Sequence, residues 1–193
     1  MKNIAVFCAS SPGFNPDFEK EAYALGQYLA ESGYGLVYGG AQVGLMGAVA
    51  NGALSKGGSV TGVLPVFLQT KEIAHPALTE LIIVDTMHER KTIMSERCEG
   101  IIALPGGFGT MEELFEMLTW AQLGLHKKPI AMLNTAGFYT PLLSFIDNMV
   151  TAGVLKQINR DMLLVADNMI DLLGLMEGYV APEVPKWLNM EST

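Results

Sequence analysis

Ile101-Ile102-Ala103-Leu104-Pro105-Gly106-Gly107-Phe108-Gly109-Thr110-Met111-Glu112-Glu113 runs from an apolar strand, through a glycine turn, into the start of a helix. The strand has no polar alternation, so both of its faces are buried, as in a parallel sheet covered on two sides. The same grammar recurs along the chain. Further strands are predicted at Asn3–Ala9, Gly35–Tyr38, Ser59–Leu64, Leu81–Val84, Pro129–Leu133 and Leu163–Val165, with the quoted one at Ile101–Leu104. Helical patterns fall at Pro16–Ser32, Leu45–Lys56, Met87–Cys98, Met111–Leu123, Thr140–Ala152 and Asn168–Glu177. Asn15-Pro16 and Thr140-Pro141 each set a capping residue before a proline at the first helical position. Thr86–Glu89 and Thr110–Glu113 have the spacing of capping boxes. Strands alternating with helices predict a Rossmann-like, doubly wound α/β fold: a mostly parallel sheet with helices on both faces. Such sheets bind ligands along the edge formed by their strand C-termini.

A second strand ends in the same manner. Tyr38-Gly39-Gly40 leads through Gly44-Leu45-Met46-Gly47 into a helix. Glycine at a strand-to-helix turn admits positive φ and a close ligand, and the exposed N–H groups of the helix favour an anion. The plain alternative is that these glycines only make tight turns. Neither loop is a dinucleotide fingerprint, because Glu112 stands where a third glycine would fall after Gly107-Phe108-Gly109. Gly52 to Gly57 has the spacing of a phosphate loop but lacks the Lys-Ser/Thr that should follow.

Composition narrows the partners. The 193 residues are half hydrophobic and only 17% charged, which excludes a disordered chain and predicts one domain over 1–193 with a tail at 181–193. Twelve Lys+Arg against 20 Asp+Glu give a net charge of -8, with arginine only at positions 90, 97 and 160. A chain so charged lacks the basic face that duplex nucleic acid requires, yet it can hold one small anion. Two cysteines, Cys8 and Cys98, do not make a disulfide scaffold. The apolar start of the chain is too short for a signal peptide and reads as a first strand. No stretch approaches 18 uninterrupted apolar residues, so a soluble cytoplasmic protein is expected. His75, His88 and His126 have no metal-ligand spacing, and the 12 methionines read as adaptable core and pocket lining. No metal or cofactor is expected.

Charged residues near the two helix starts leave readings open. Arg90 and Lys91 fall early in the helix begun by Thr86, where cations oppose the dipole. Arg90 either pairs with Glu89 or Glu96 at the surface or, with its rigid fork of donors, receives an anion. Glu112, Glu113 and Glu116 either complement the dipole of their helix or supply a carboxylate to glycosidic-bond cleavage beside a phosphate loop.

The motifs together resemble the LONELY GUY family, the cytokinin riboside 5′-monophosphate phosphoribohydrolases long labelled lysine decarboxylases. Pro105 to Glu113 is similar to that family's P-G-G-x-G-T-x-x-E signature, and Met87-His88-Glu89-Arg90-Lys91 to its second motif. Thr119-Trp120-Ala121-Gln122-Leu123-Gly124-Leu125-His126 continues the likeness, which runs from the first strand to about Asp147. The resemblance implies hydrolysis of the N-glycosidic bond of a nucleoside 5′-monophosphate, with Arg90 and Glu113 catalytic. It implies that Gly106, Gly107, Gly109 and Thr110 hold the phosphate, and that Lys91 and Glu112 contact the nucleotide. Ser10, Gly40, Met87 and Leu64 would line the base pocket. Gly39, Phe108, Thr119 and Glu72 complete the implied substrate-binding set. A homodimer is also implied, with apolar helices such as Met111–Leu123 available to pair. Two rivals remain: a pyridoxal-phosphate decarboxylase with Lys91 as its Schiff-base lysine, and a non-catalytic nucleotide or molybdenum-cofactor carrier.

Overall fold

The computed structural model describes residues 1–68 and 73–183. Seven strands form one sheet: β1 Asn3–Phe7, β2 Gly35–Tyr38, β3 Val60–Pro65, β4 Glu80–Val84, β5 Gly100–Ala103, β6 Ile130–Leu133 and β7 Leu163–Ala166. Their order is β4-β3-β2-β1-β5-β6-β7, and every neighbouring pair is parallel. Among the described residues seven α-helices accompany them: α1 Pro16–Glu31, α2 Gly44–Ser55, α3 Met87–Glu96, α4 Phe108–Gln122, α5 Thr140–Thr151, α6 Gln157–Arg160 and α7 Met169–Glu177. Among the described residues, no helix is long and apolar enough to cross a membrane.

The doubly wound prediction holds, and the strand pattern explains why. In β1, Ile4 and Val6 enter a core with α1, α2 and α7, whereas Ala5 and Phe7 enter a second core with α3, α4 and α5. All four are at most 2% exposed. Each large aliphatic or aromatic side chain so buried contributes about 1.5–3 kcal/mol. On the first face, α1 and α2 touch through their backbones. A Cβ on Gly26 would lie 2.0 Å from the Val49 carbonyl oxygen, and one on Gly52 would lie 2.0 Å from that of Tyr23.

The chain lays down β1 to β4 outward on one side, then returns through α3 to place β5 on the other side of β1. The exits of β1 and β5 therefore diverge at a switch point, where open parallel sheets form a crevice. The backbone N–H of Ala9 donates to the Pro105 carbonyl at 3.1 Å, tying the two exits together at their base.

Three local expectations need correction. Helix α4 begins at Phe108 rather than Met111, because Gly107 takes the N-cap position. Thr110 is thereby inside the helix, and the predicted Thr110–Glu113 capping box does not form. Helix α5 likewise uses Tyr139 as its N-cap, with Thr140 already helical. The single turn α6 was not predicted, since four residues carry too little periodicity. The Thr86–Glu89 box does form, with the Thr86 Oγ1 accepting from the Glu89 N–H at 3.1 Å and the Glu89 Oε2 accepting from the Thr86 N–H at 3.2 Å. Most of the predicted tail, from residue 184 onward, lies outside the described residues.

Candidate active site

A cleft of about 540 Å³ opens along the C-terminal sheet edge, bounded by the exits of β1, β2, β3 and β5 and by α3 and α4. Two charged side chains reach into it from opposite helices. Arg90 comes from the first turns of α3, whose start the Thr86–Glu89 box holds, and is only 6% exposed. Its guanidinium lies against the end of β2: a Cβ on Gly39 would sit 2.0 Å from Nη2. Glycine is thus required at 39 for the arginine to lie where it does. Arg90 Nη1 points to the Met87 thioether at 3.8 Å, a weak acceptor, and Nε has no hydrogen-bond partner among the described residues. A buried guanidinium so weakly matched favours a bound anion or hydroxyl-rich ligand.

Glu113 owes its direction to the stripe on which it stands. The buried positions of α4 are Thr110, Glu113, Leu114, Met117 and Ala121, spaced as one helical face. The stripe is apolar along most of its length and polar at its head, so the face that packs on the sheet carries Thr110 and Glu113 into the cleft. Glu113 is 7% exposed, whereas Glu112 is exposed. Cys8, at the end of β1, also lines the cleft. Burial pushes its thiol well above the usual range; the Glu113 charge adds to the rise and Arg90 opposes it. Both charges therefore bear on the same buried atom, and that atom stays protonated.

The first turn of α4 supplies a third element. Gly107 forms an N-cap without a side-chain hydrogen bond, so the leading N–H groups are not capped by a side chain. Gly106 brings the loop close to Thr110, whose Oγ1 would lie 2.1 Å from a Cβ at 106. A Cβ at Gly107 or Gly109 would meet nothing within 4 Å, and neither has a positive φ. The fold itself does not require glycine at those two positions. The start of α2 is built differently: the N–H groups of Leu45 and Met46 both donate to the Ala9 carbonyl, at 3.1 and 3.3 Å. Those two donors of α2 are thus taken up within the protein.

Of the residues implied by resemblance, Ser10, Gly39, Met87, Arg90, Gly107, Phe108, Gly109, Thr110 and Glu113 come together around the cleft. Gly40, Gly106 and Leu64 are not among its lining residues, and Leu64 is wholly buried in β3. Lys91 is turned away, bridging to Glu112 and, at 2.9 Å, to Glu116. Burial works against its charge, but the two carboxylates prevail and raise its pKa. Thr119 is two turns further along α4, exposed, donating to the Phe115 carbonyl at 2.7 Å. Exposed His88 is not among the lining residues. Glu72 lies outside the described residues. Sequence reasoning did not single out Cys8, Met46, Phe67, Leu68 or Met94, which also line the cleft. Abundant methionine hinted at a lined pocket, but the other positions carry no motif. Among the described residues, no lysine lines the cleft and no group of three His, Cys, Asp or Glu is placed to hold a metal.

Comparison with known proteins now has a geometry to explain. A family model described as possible lysine decarboxylase matches residues 46–176. The chain is 46% identical over 169 residues to the cytokinin riboside 5′-monophosphate phosphoribohydrolase of Rhodococcoides fascians, covering 87% of this chain and 85% of that one. It is 44% identical over 182 residues to a probable enzyme of the same name from Oryza sativa subsp. japonica, covering 94% and 74%. Among solved structures, the molybdenum cofactor binding protein of Rippkaea orientalis superposes with a TM-score of 0.67 at 23% identity, covering 91% and 95%. The Moco carrier protein of Chlamydomonas reinhardtii gives 0.66 at 23% identity, covering 86% and 90%. Those two share the fold. The sequence relatives share nearly the whole chain, and on that ground this protein belongs to the family of cytokinin riboside 5′-monophosphate phosphoribohydrolases.

Proposed function

We propose that this protein hydrolyses the N-glycosidic bond of a nucleoside 5′-monophosphate, releasing the free base and ribose 5-phosphate. The substrate class is an N6-modified adenosine monophosphate, such as a cytokinin riboside 5′-monophosphate, or AMP itself. The observation that carries this reading is the burial of Arg90 and Glu113 in one cleft beside the uncapped start of α4. The phosphate monoester lies against Gly107, Gly109 and Thr110, where backbone donors and the helix dipole meet it. The ribose then falls beside Glu113.

As the C1′–N bond breaks, its electron pair leaves with the base and positive charge develops on the ribose ring. A buried carboxylate stabilises that charge more strongly than one in water could. Glu113 also aligns the water whose oxygen bonds to C1′, while one water proton ends on the departing base. Arg90 orients the nucleotide and assists departure of the base. Lys91 supports the site from behind by holding α3 to Glu112 and Glu116.

The test is direct. E113Q and R90A should each lower base release by at least about a thousandfold, with circular dichroism unchanged, when base and ribose 5-phosphate are followed by chromatography. Near-normal turnover in either variant would remove the assignment. Quantitative recovery of bound nucleotide from the wild-type protein after long incubation would make it a carrier instead. The proposal includes a homodimer. In its support, Phe145 of α5 is exposed, and exposed Phe115 of α4 lines a recess of about 200 Å³ together with Leu118, Ile146 and Met149. Sedimentation equilibrium checks it.

A further inference from the structure

The cleft has two chemically different ends, and the sheet order says how far apart they are. Its floor follows the strand exits in the order β3, β2, β1, β5. The start of α4 stands over β5, and Arg90 lies against Gly39 at the exit of β2. Beyond them, the short 3-10 turn Val66–Leu68 follows directly on β3 and brings Phe67 and Leu68 into the lining. Three strand spacings separate β5 from β3, about 14 Å. That distance suits a nucleoside monophosphate laid across the edge with its phosphate at α4 and the far edge of its base at β3.

The hydrogen-bonding side chains of the lining are Ser10, Ser11, Arg90, Thr110 and Glu113, from β1, α3 and α4. Phe67 and Leu68 form the β3 end, Met46 and Met87 line the cleft beside Arg90, and no described residue of that turn offers a polar side chain to the cleft. Phe67 is 54% exposed, although an aromatic ring of its size gains much from burial. Among the described residues, this turn offers no polar side chain to pair with an exocyclic amine, and it offers apolar surface to an alkyl group carried on it.

Resting on the phosphoribohydrolase reading, we infer that Phe67 is a specificity-determining residue. It closes the base end of the cleft and sets the preference for bases bearing an apolar substituent over the unsubstituted base. The methionines elsewhere in the lining can adapt to the ligand, whereas the ring presents an apolar surface at the β3 end. This assigns a role to a position outside the recognisable motifs.

The experiment compares AMP with isopentenyladenosine 5′-monophosphate on wild type, F67A and F67L. In F67A the ratio of kcat/KM for the prenylated nucleotide over AMP should fall about tenfold, mainly through KM, as expected for losing one apolar wall. AMP turnover should fall less, by about threefold, and F67L should lie between wild type and F67A. Equal losses on both nucleotides, or an unchanged ratio, would overturn the role of Phe67. Calorimetric titration of both nucleotides onto E113Q and E113Q/F67A reads the same ratio in affinities without turnover. If wild type cleaves neither nucleotide but the affinity ratio shifts as stated, the reaction is misassigned and Phe67 is not. If wild type cleaves and the ratio stays constant, only Phe67 is misassigned.

Discussion

Two loops on one sheet edge, Gly39 to Gly47 and Pro105 to Thr110, read alike in sequence and are used differently in the fold. Each follows a strand, carries several glycines and opens a helix. At α2 the leading N–H groups bond to Ala9 of the neighbouring strand exit, so the glycines there serve packing. A Cβ on Gly44 would strike the backbone of Ser10 and Ser11 at 2.3 Å, and Gly44 has a φ of 58°. At α4 the glycines at 107 and 109 answer to no internal contact. The lesson is that a glycine-opened helix becomes an anion site only when its donors have no partner within the protein. Glycine spacing does not report this.

The sharpest way to break this contrast is through Gly39, which belongs to the first loop yet holds the arginine of the site. G39A should push the Arg90 guanidinium aside and lower kcat/KM by about a hundredfold, as displacements near 1 Å do. Normal turnover in G39A would show that Arg90 needs no such seat. Next come the two loops themselves. G109A should raise KM for the nucleotide by about tenfold, while thermal unfolding shifts upward by a stabilisation of about 0.5–1 kcal/mol, since alanine suits a helix better. G44A should do the reverse, lowering the melting temperature through strain, and should leave little soluble protein. If G109A binds nucleotide normally, α4 is not where the phosphate lies.

A third contrast sits within one dipeptide. Arg90 faces the cleft, and Lys91 faces Glu112 and Glu116. K91M should therefore destabilise the protein by about 1–3 kcal/mol in urea titrations with a smaller effect on kcat than R90A. Unchanged stability with a raised KM would return Lys91 to the nucleotide.

The smallest expected effect concerns two histidines, buried His75 and half-buried His126, one behind each helix. The His75 ring nitrogen lies 3.0 Å from Asn51 Oδ1, and its backbone N–H donates to the Gly40 carbonyl beneath the first loop. His126 bonds through Nε2 to the Met117 carbonyl of α4, and its Nδ1 accepts from the Lys128 N–H at 3.2 Å. Burial lowers the pKa of both below the ordinary histidine value. Between the lowered value and about 6.5 the unfolded chain binds more protons than the folded one. Their contribution to stability is thus complete above about 6.5 and declines as pH falls below it. Melting curves from pH 7.5 to 5.5 should show a loss that H126N reduces; an identical pH dependence in H126N would remove His126 from this account.

Much of this architecture was legible beforehand because apolar strands and capped helices are local patterns. Ile4 to Phe7 and Ile101 to Ala103 have no polar face to present to water, so only a two-sided sheet can accommodate them. The Thr86–Glu89 box needs four residues, and it formed as read. The Thr110–Glu113 box failed because Gly107, three positions earlier, can also end the loop, and local spacing does not rank competing caps. Lys91 and Glu112 carry charges that suit a nucleotide, but the fold pairs Lys91 of α3 with Glu112 and Glu116 of α4. Phe67 had no motif at all.

The sequence by itself determined the layers of the fold and the family, and it singled out Arg90 and Glu113 as candidates, since periodicity and motif are written in neighbouring residues. The tertiary structure alone decided which of two matching loops keeps its donors free, which cation of a dipeptide meets the cleft, and which aromatic ring closes it. These depend on what residues distant in the chain bring to the same edge. Ala9 reaches α2 but not α4, Glu112 and Glu116 reach Lys91, and the turn after β3 delivers Phe67 three strands from the start of α4.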